Sequence, residues 1–101
     1  MLIVLAKAKV GVGAMDAFRA SVADMVTASH AESGCITYAF TQDVLDPEVI
    51  HIVEKWQDEA ALAAHFATPH MAAFGAAIAG LDFEVIEAVK YHTDDQGTSL
   101  I

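Results

Sequence analysis

Five histidines, His30, His51, His65, His70 and His92, are the side chains of this sequence best suited to proton transfer or metal ligation near neutral pH. Two of them frame the string "HFATPH", residues 65–70. Their separation of five does not place both on one helical face, where neighbours sit three or four apart. Thr68 followed by Pro69 explains it. A threonine N-cap with a first-turn proline starts a fresh helix, so His65 lies near the end of one short helix and His70 in the first turn of the next. A zinc site would need a third ligand from Glu54, His51 or His92 through folding, and the spacing matches no common metal pattern, so metal ranks last of the uses weighed. Acid–base work is the second use. Glu54 and Trp56 share one strand face and can line a pocket, the carboxylate orienting an imidazole and the indole forming a flat wall. Tyr38 adds a phenol one strand over. The plainest use is structural: helix-end histidines under the influence of the dipole, a capping or ion-paired Glu54, and Trp56 and Tyr38 as core. The residues alone leave these uses open.

The elements that must hold these side chains follow from periodicity. Residues 2–10, "LIVLAKAKV", become alternating, with Lys7 and Lys9 opposite Ala6, Ala8 and Val10: a strand. "GVG" at 11–13 breaks it. From Ala14 to His30 the residues Met15, Phe18, Val22, Met25, Val26 and Ser29 recur in steps of three and four, an amphipathic helix closed near Gly34, which suits a C-cap or turn. "CITYAFTQ", 35–42, sets Ile36, Tyr38 and Phe40 against Cys35, Thr37 and Ala39 as a second strand, and "VIHIVEKWQ", 49–57, sets Ile50, Ile52, Glu54 and Trp56 against Val49, His51, Val53 and Lys55 as a third. Asp58 caps a helix whose inward residues read as Ala60, Leu62, Ala63 and Phe66. The helix opened by Thr68-Pro69 buries Met71, Phe74 and Ile78 and stops at Gly80. "LDFEVIEAVKYH", 81–92, is a fourth strand with Leu81, Phe83, Val85, Val89 and Tyr91 on one face. Residues 93–101 read as a mobile polar tail after a domain spanning 1–92.

The order β-α-β-β-α-β specifies an α+β, ferredoxin-like fold: a four-stranded antiparallel sheet with helices on one face. Hydrophobic residues form 55% of the 101, above the ~45–50% of ordinary soluble chains. With helices on only one side, the other apolar face calls for a second copy, most simply a two-fold dimer packed sheet to sheet. A net charge of −9, from 14 acidic and 5 scattered basic residues, argues against nucleic acid and anionic membranes as partners. Cys35, the only cysteine, follows Gly34 at a strand start, where a buried small hydrophobe is expected rather than a nucleophile. "MLIVLAKAKV" lacks a basic leader and is too short to span a bilayer, which makes the cytoplasm the expected location.

The strings "HAESGCITYAF" and "EKWQDEAALAAHFATPHMAAF" resemble the antibiotic biosynthesis monooxygenase (ABM) family. That family shows a glutamate-glycine-cysteine turn into a strand with tyrosine, a strand ending Glu-x-Trp, an Ala-Leu-x-x-His helix and a Thr/Ser-Pro-His helix start. Ser33 stands where the family's turn usually has proline. The resemblance covers residues 2–92 and implies a dimeric α+β barrel. It further implies oxidation of a small aromatic, quinol or anthrone-like substrate by dioxygen without metal or flavin. The residues implied are His65, His70 and Glu54 for catalysis and Tyr38, Trp56 and Phe74 for the pocket. Haem-degrading relatives need a tryptophan and an asparagine that this chain lacks at the corresponding places. The alternatives are an isomerase or other processing enzyme for a small carbonyl signal metabolite, some relatives of this kind acting on phosphorylated sugar-derived signals, or a non-catalytic ligand-binding dimer. The scarcity of basic residues weakens a phosphate site.

Overall fold

The computed structural model describes residues 1–101. Strand β1 (Leu2–Val10) leads through a 3-10 turn at Val12–Ala14 into helix α1 (Met15–His30). Strands β2 (Cys35–Gln42) and β3 (Val49–Trp56) form a hairpin, helices α2 (Glu59–Phe66) and α3 (Pro69–Ile78) follow, and strand β4 (Phe83–His92) closes the domain. The sheet is antiparallel in the order β2-β3-β1-β4, the ferredoxin-like arrangement.

The break between α2 and α3 is built from local capping chemistry. Asp58 accepts a hydrogen bond from the Ala61 backbone N–H at 2.9 Å and starts α2. The Thr68 hydroxyl donates to the His65 carbonyl at 2.7 Å and accepts from the Met71 N–H at 3.3 Å. One hydroxyl therefore ends the first helix and begins the second, and Pro69 supplies a first-turn residue with no N–H to satisfy.

Between the sheet and the helices lies one core. Leu2, Ala8, Val10, Ile50, Ile52 and Trp56 rise from the sheet to meet Phe18 and Met25 of α1, Leu62 of α2 and Phe74 of α3. In β3 the expected parity holds: Ile50, Ile52 and Trp56 are buried on one face. Two β-bulges shift it elsewhere, because one extra residue on a strand exchanges the faces of everything beyond it. In β2, Cys35 pairs with Trp56 while Tyr38 pairs with Glu54, so Cys35 joins Tyr38 and Phe40 toward the helices and Ile36 turns outward. In β4 the register slips between Val85 and Glu87. Phe83 and Val85 keep the helix side, whereas Val89 and Tyr91, expected beside them, pair with Leu5 and Ile3 on the opposite face.

Helix α2 departs from its expected facing as well. Leu62 and His65, three residues apart, turn inward, while Phe66 is 63% exposed and Ala60 and Ala63 face solvent. The eight-residue helix is apolar nearly all round, so composition did not mark which side meets the sheet.

Gly34 is needed for room rather than for its φ angle, since it is not among the residues with positive φ. A Cβ added there would meet the Ala61 Cβ of α2 at 2.3 Å. Gly34→Ala should therefore push α2 off the α1–β2 turn and destabilise the domain by about 1–3 kcal/mol, the usual range for overpacking. Urea unfolding of the variant checks this, and an unchanged midpoint would show that the turn yields freely.

Candidate active site

At the heart of the site is a carboxylate shared by two imidazoles. Glu32, in the turn joining α1 to β2, accepts through one oxygen, Oε2, from His65 Nδ1 at 2.7 Å and from His70 Nε2 at 2.7 Å. The Thr68-Pro69 break makes this geometry available: α2 ends just after His65, α3 starts just before His70, and both rings converge on the same oxygen. His65 is 1% exposed, whereas the His70 side chain is 22% exposed. Two donors on one acceptor atom assign the hydrogens: His65 carries its proton on Nδ1 and His70 on Nε2. His65 Nε2 has no protein partner, and in the neutral imidazole with its proton on Nδ1 it is the lone-pair nitrogen.

His65 also lines a cavity of about 250 Å³ between the sheet and α3. Tyr38, Phe40, Glu54 and Phe74 share the lining, and Phe66 stands at its exposed edge. The walls are mostly apolar, with Tyr38, Glu54 and His65 as the titratable groups. Trp56 lies behind this wall rather than in it. Its ring is 4.7 Å from that of His65, and its Nε1–H donates to Glu54 Oε1 at 2.9 Å. His70 likewise stays outside the cavity and borders a separate groove of about 380 Å³ between α1 and α3. Of the six residues singled out from sequence, Tyr38, Glu54, His65 and Phe74 therefore meet in one cavity, and Trp56 and His70 support it from behind.

Glu32 was not singled out, although it stands in the "HAESGC" turn that carries the family resemblance. It lies 33 residues from His65 and 38 from His70, and no local spacing links them. His51 and His92, weighed as third ligands, sit elsewhere: His51 contacts Asp43 and His92 contacts Glu59, both at the surface.

Electrostatics separate the roles of the cavity groups. Burial pushes the Glu54 carboxyl above its ordinary value, a rise only partly offset by the hydrogen bond from Trp56 and the neighbouring His65. Burial, reinforced by the Glu54 charge, also raises the Tyr38 phenol, so Tyr38 is a neutral hydroxyl and no base. Its O–H donates weakly to Met25 Sδ at 3.5 Å. Burial raises the Cys35 thiol too, aided by Glu32 and Glu54, which does not favour a nucleophilic thiolate.

The Glu54 shift has a stability consequence. A carboxyl whose folded value is raised contributes stability that is complete below its unfolded value, 4.5, and is lost as pH climbs through the folded value. Glu54→Gln keeps an oxygen to accept from Trp56 and removes the burial of charge. The variant should melt higher than the natural chain above that window and lose its advantage below 4.5, as thermal unfolding across pH will show. An advantage independent of pH would contradict this.

A four-stranded ferredoxin-like sheet holding an enclosed histidine–carboxylate pair beside an apolar cavity defines a small α+β domain of the cavity-forming type. The chain matches the model of the antibiotic biosynthesis monooxygenase family, ABM, over residues 1–77, and it belongs to that family. It is 32% identical over 73 residues to the Synechocystis sp. protein sll1783, described as uncharacterized; the match takes in 72% of this chain and 50% of that protein, so the chain spans about half the length of the curated relative it matches. A conserved protein from Methanosarcina mazei superposes with a TM-score of 0.81 at 28% identity, covering 92% of each chain. A crystal structure of an antibiotic biosynthesis monooxygenase superposes at 0.79 with 26% identity, covering 94% of this chain and 100% of the other. A Deinococcus radiodurans structure reaches 0.88 over 99% of both chains at 20% identity, a likeness of fold alone.

Proposed function

We propose that this chain is a cofactor-independent monooxygenase in which His65, oriented by Glu32, is the general base. The observation that carries the reading is the buried His65 whose Nδ1 is committed to Glu32 at 2.7 Å while its ring lines the cavity. Such a carboxylate fixes the tautomer and stabilises the imidazolium formed on proton uptake. Family membership points to oxygen chemistry, and the apolar, aromatic lining suits a flat, electron-rich ring.

The substrate class is a quinol, an anthrone or a similar small aromatic. His65 Nε2 takes a phenolic or enolic proton, and the anion so formed is the reductant for dioxygen. One oxygen atom enters the substrate, as a carbonyl at an anthrone methylene or as a hydroxyl on a quinol ring that is itself oxidised to the quinone. The other leaves as water, all four electrons coming from the substrate. The Tyr38 hydroxyl donates a hydrogen bond to the ring oxygen that becomes anionic, Glu54 accepts from a second hydroxyl of the substrate, and Phe74 with Phe40 excludes water, which keeps the electrostatic interactions strong.

Oxygen-electrode measurements with a panel of hydroquinones and anthrones test the reading. Uptake above the uncatalysed background, tied to product formation, is expected. Turnover of a small carbonyl substrate without oxygen uptake would instead establish an isomerase built on the same base, and a ligand that raises Tm without product would make the domain a binding module.

The uncovered face of the sheet completes the proposal. Leu5, Val89 and Tyr91 are roughly half exposed there, beside Ile3 and Val53. A second copy packed on this face forms a two-fold dimer. Light scattering at micromolar concentration should give twice the chain mass, and Leu5→Glu should return it to one.

A further inference from the structure

We propose that Glu32, His65 and His70 form a binding site for one zinc-class divalent cation. Each of the three offers a ligand atom, the three atoms lie within 4.8 Å of one another, and His65 Nδ1 and His70 Nε2 both approach Glu32 Oε2. Two imidazoles and one carboxylate are a donor set of three-ligand zinc sites, whose fourth position is left for water. Ligand atoms about 2.0–2.2 Å from a tetrahedral ion stand roughly 3.3 Å apart. The two nitrogens each lie 2.7 Å from Oε2, so the oxygen must retreat by about half an ångström. Glu32 can do so, because it sits in a turn rather than within a helix or strand. Its other oxygen has no partner, which leaves it free to share the ion.

The surroundings supply access. Glu32 borders an open groove of about 450 Å³ whose polar lining includes Ser33, Gln57, Asp58 and Thr68, and His70 borders the groove between α1 and α3. A hydrated ion can therefore reach the carboxylate from outside and keep a water on that side. Imidazole nitrogens favour zinc, copper, nickel or cobalt over magnesium and calcium, which take oxygen ligands. The other histidine–acid pairs make no such site: His51 with Asp43 and His92 with Glu59 each bring a single imidazole.

Occupancy has a consequence that rests on the general-base reading above. A neutral imidazole bound to metal through Nδ1 must carry its proton on Nε2. The ring nitrogen left free for the cavity changes from acceptor to donor, and the base is switched off. Zinc would thus inhibit this enzyme rather than serve its chemistry.

Calorimetric titration of the whole chain with zinc chloride near neutral pH tests the site. One zinc per chain is expected, with no binding of magnesium. His70→Ala should weaken it by more than about tenfold, a loss that even removal of an outer-shell partner can bring. His70 is partly exposed, so its variant should keep the circular dichroism of the natural chain. His51→Ala and His92→Ala should leave zinc binding unchanged. An absence of zinc binding, or binding that survives His70→Ala, overturns the proposal. Long-range nitrogen–proton NMR of the imidazoles separates the two readings: a zinc-free His65 already protonated on Nε2 removes the general base, while the titration alone decides the site.

Discussion

Replacing His65 with glutamine is expected to lower kcat/KM for the proposed substrate by roughly 10²–10⁴-fold, the contribution of a positioned general base. Glutamine fills part of the same buried space and offers hydrogen-bonding groups to Glu32, but it has no nitrogen that accepts a proton at neutral pH. The His70→Ala variant is the matched comparison. His70 holds the same Glu32 oxygen from outside the cavity, so its loss leaves the Glu32–His65 bond standing. The effect of His70→Ala should be smaller than that of His65→Gln by roughly an order of magnitude. Oxygen uptake measured on both variants decides between them. Equal losses would mean that the two histidines act as one unit, and an active His65→Gln enzyme would remove the base from the mechanism.

Glu32→Ala should be the variant most damaging to fold and chemistry together. Both imidazole N–H groups lose their acceptor at once, and His65, at 1% exposure, has little access to replacement water. Leaving a buried donor unsatisfied costs about 1–3 kcal/mol. For a domain of this size that corresponds to a fall in Tm of roughly 5–20 °C. Glu32 does not reach the cavity, so the role expected of it under the proposed mechanism is to position His65. Its loss should lower kcat with little change in KM, and the imidazole NMR should show His65 divided between its two tautomers. A variant with the natural tautomer and a lowered Tm would assign Glu32 to structure alone.

The site was legible in the sequence to different depths for different residues. Glu54 and Trp56 were placed correctly relative to each other because two residues apart on a strand share a face, and Trp56 duly donates to Glu54. Thr68 and Pro69 announced the helix break because capping is local chemistry. Which histidine faces the cavity was not legible. It depends on how α2 rolls against the sheet, and an apolar helix eight residues long has no polar stripe to set that roll. Phe66, the larger hydrophobe, was expected inside. His65 took the place because Glu32 meets its nitrogen there.

Local patterns in the chain determined the element order, the caps at Asp58 and Thr68, the inward face of β3 and the ferredoxin-like topology, since each rests on residues a few positions apart. The motif around residues 32–70 likewise placed the chain in its family. Tertiary structure alone decided the rest. The bulges that turn Ile36, Val89 and Tyr91 away from the helices arise from pairing between strands distant in sequence. The meeting of Glu32 with His65 and His70 requires the α1–β2 turn to close on α2, with Gly34 against Ala61. An awkward five-residue spacing became a shared carboxylate because hydrogen bonds join atoms near in space, whatever their separation along the chain.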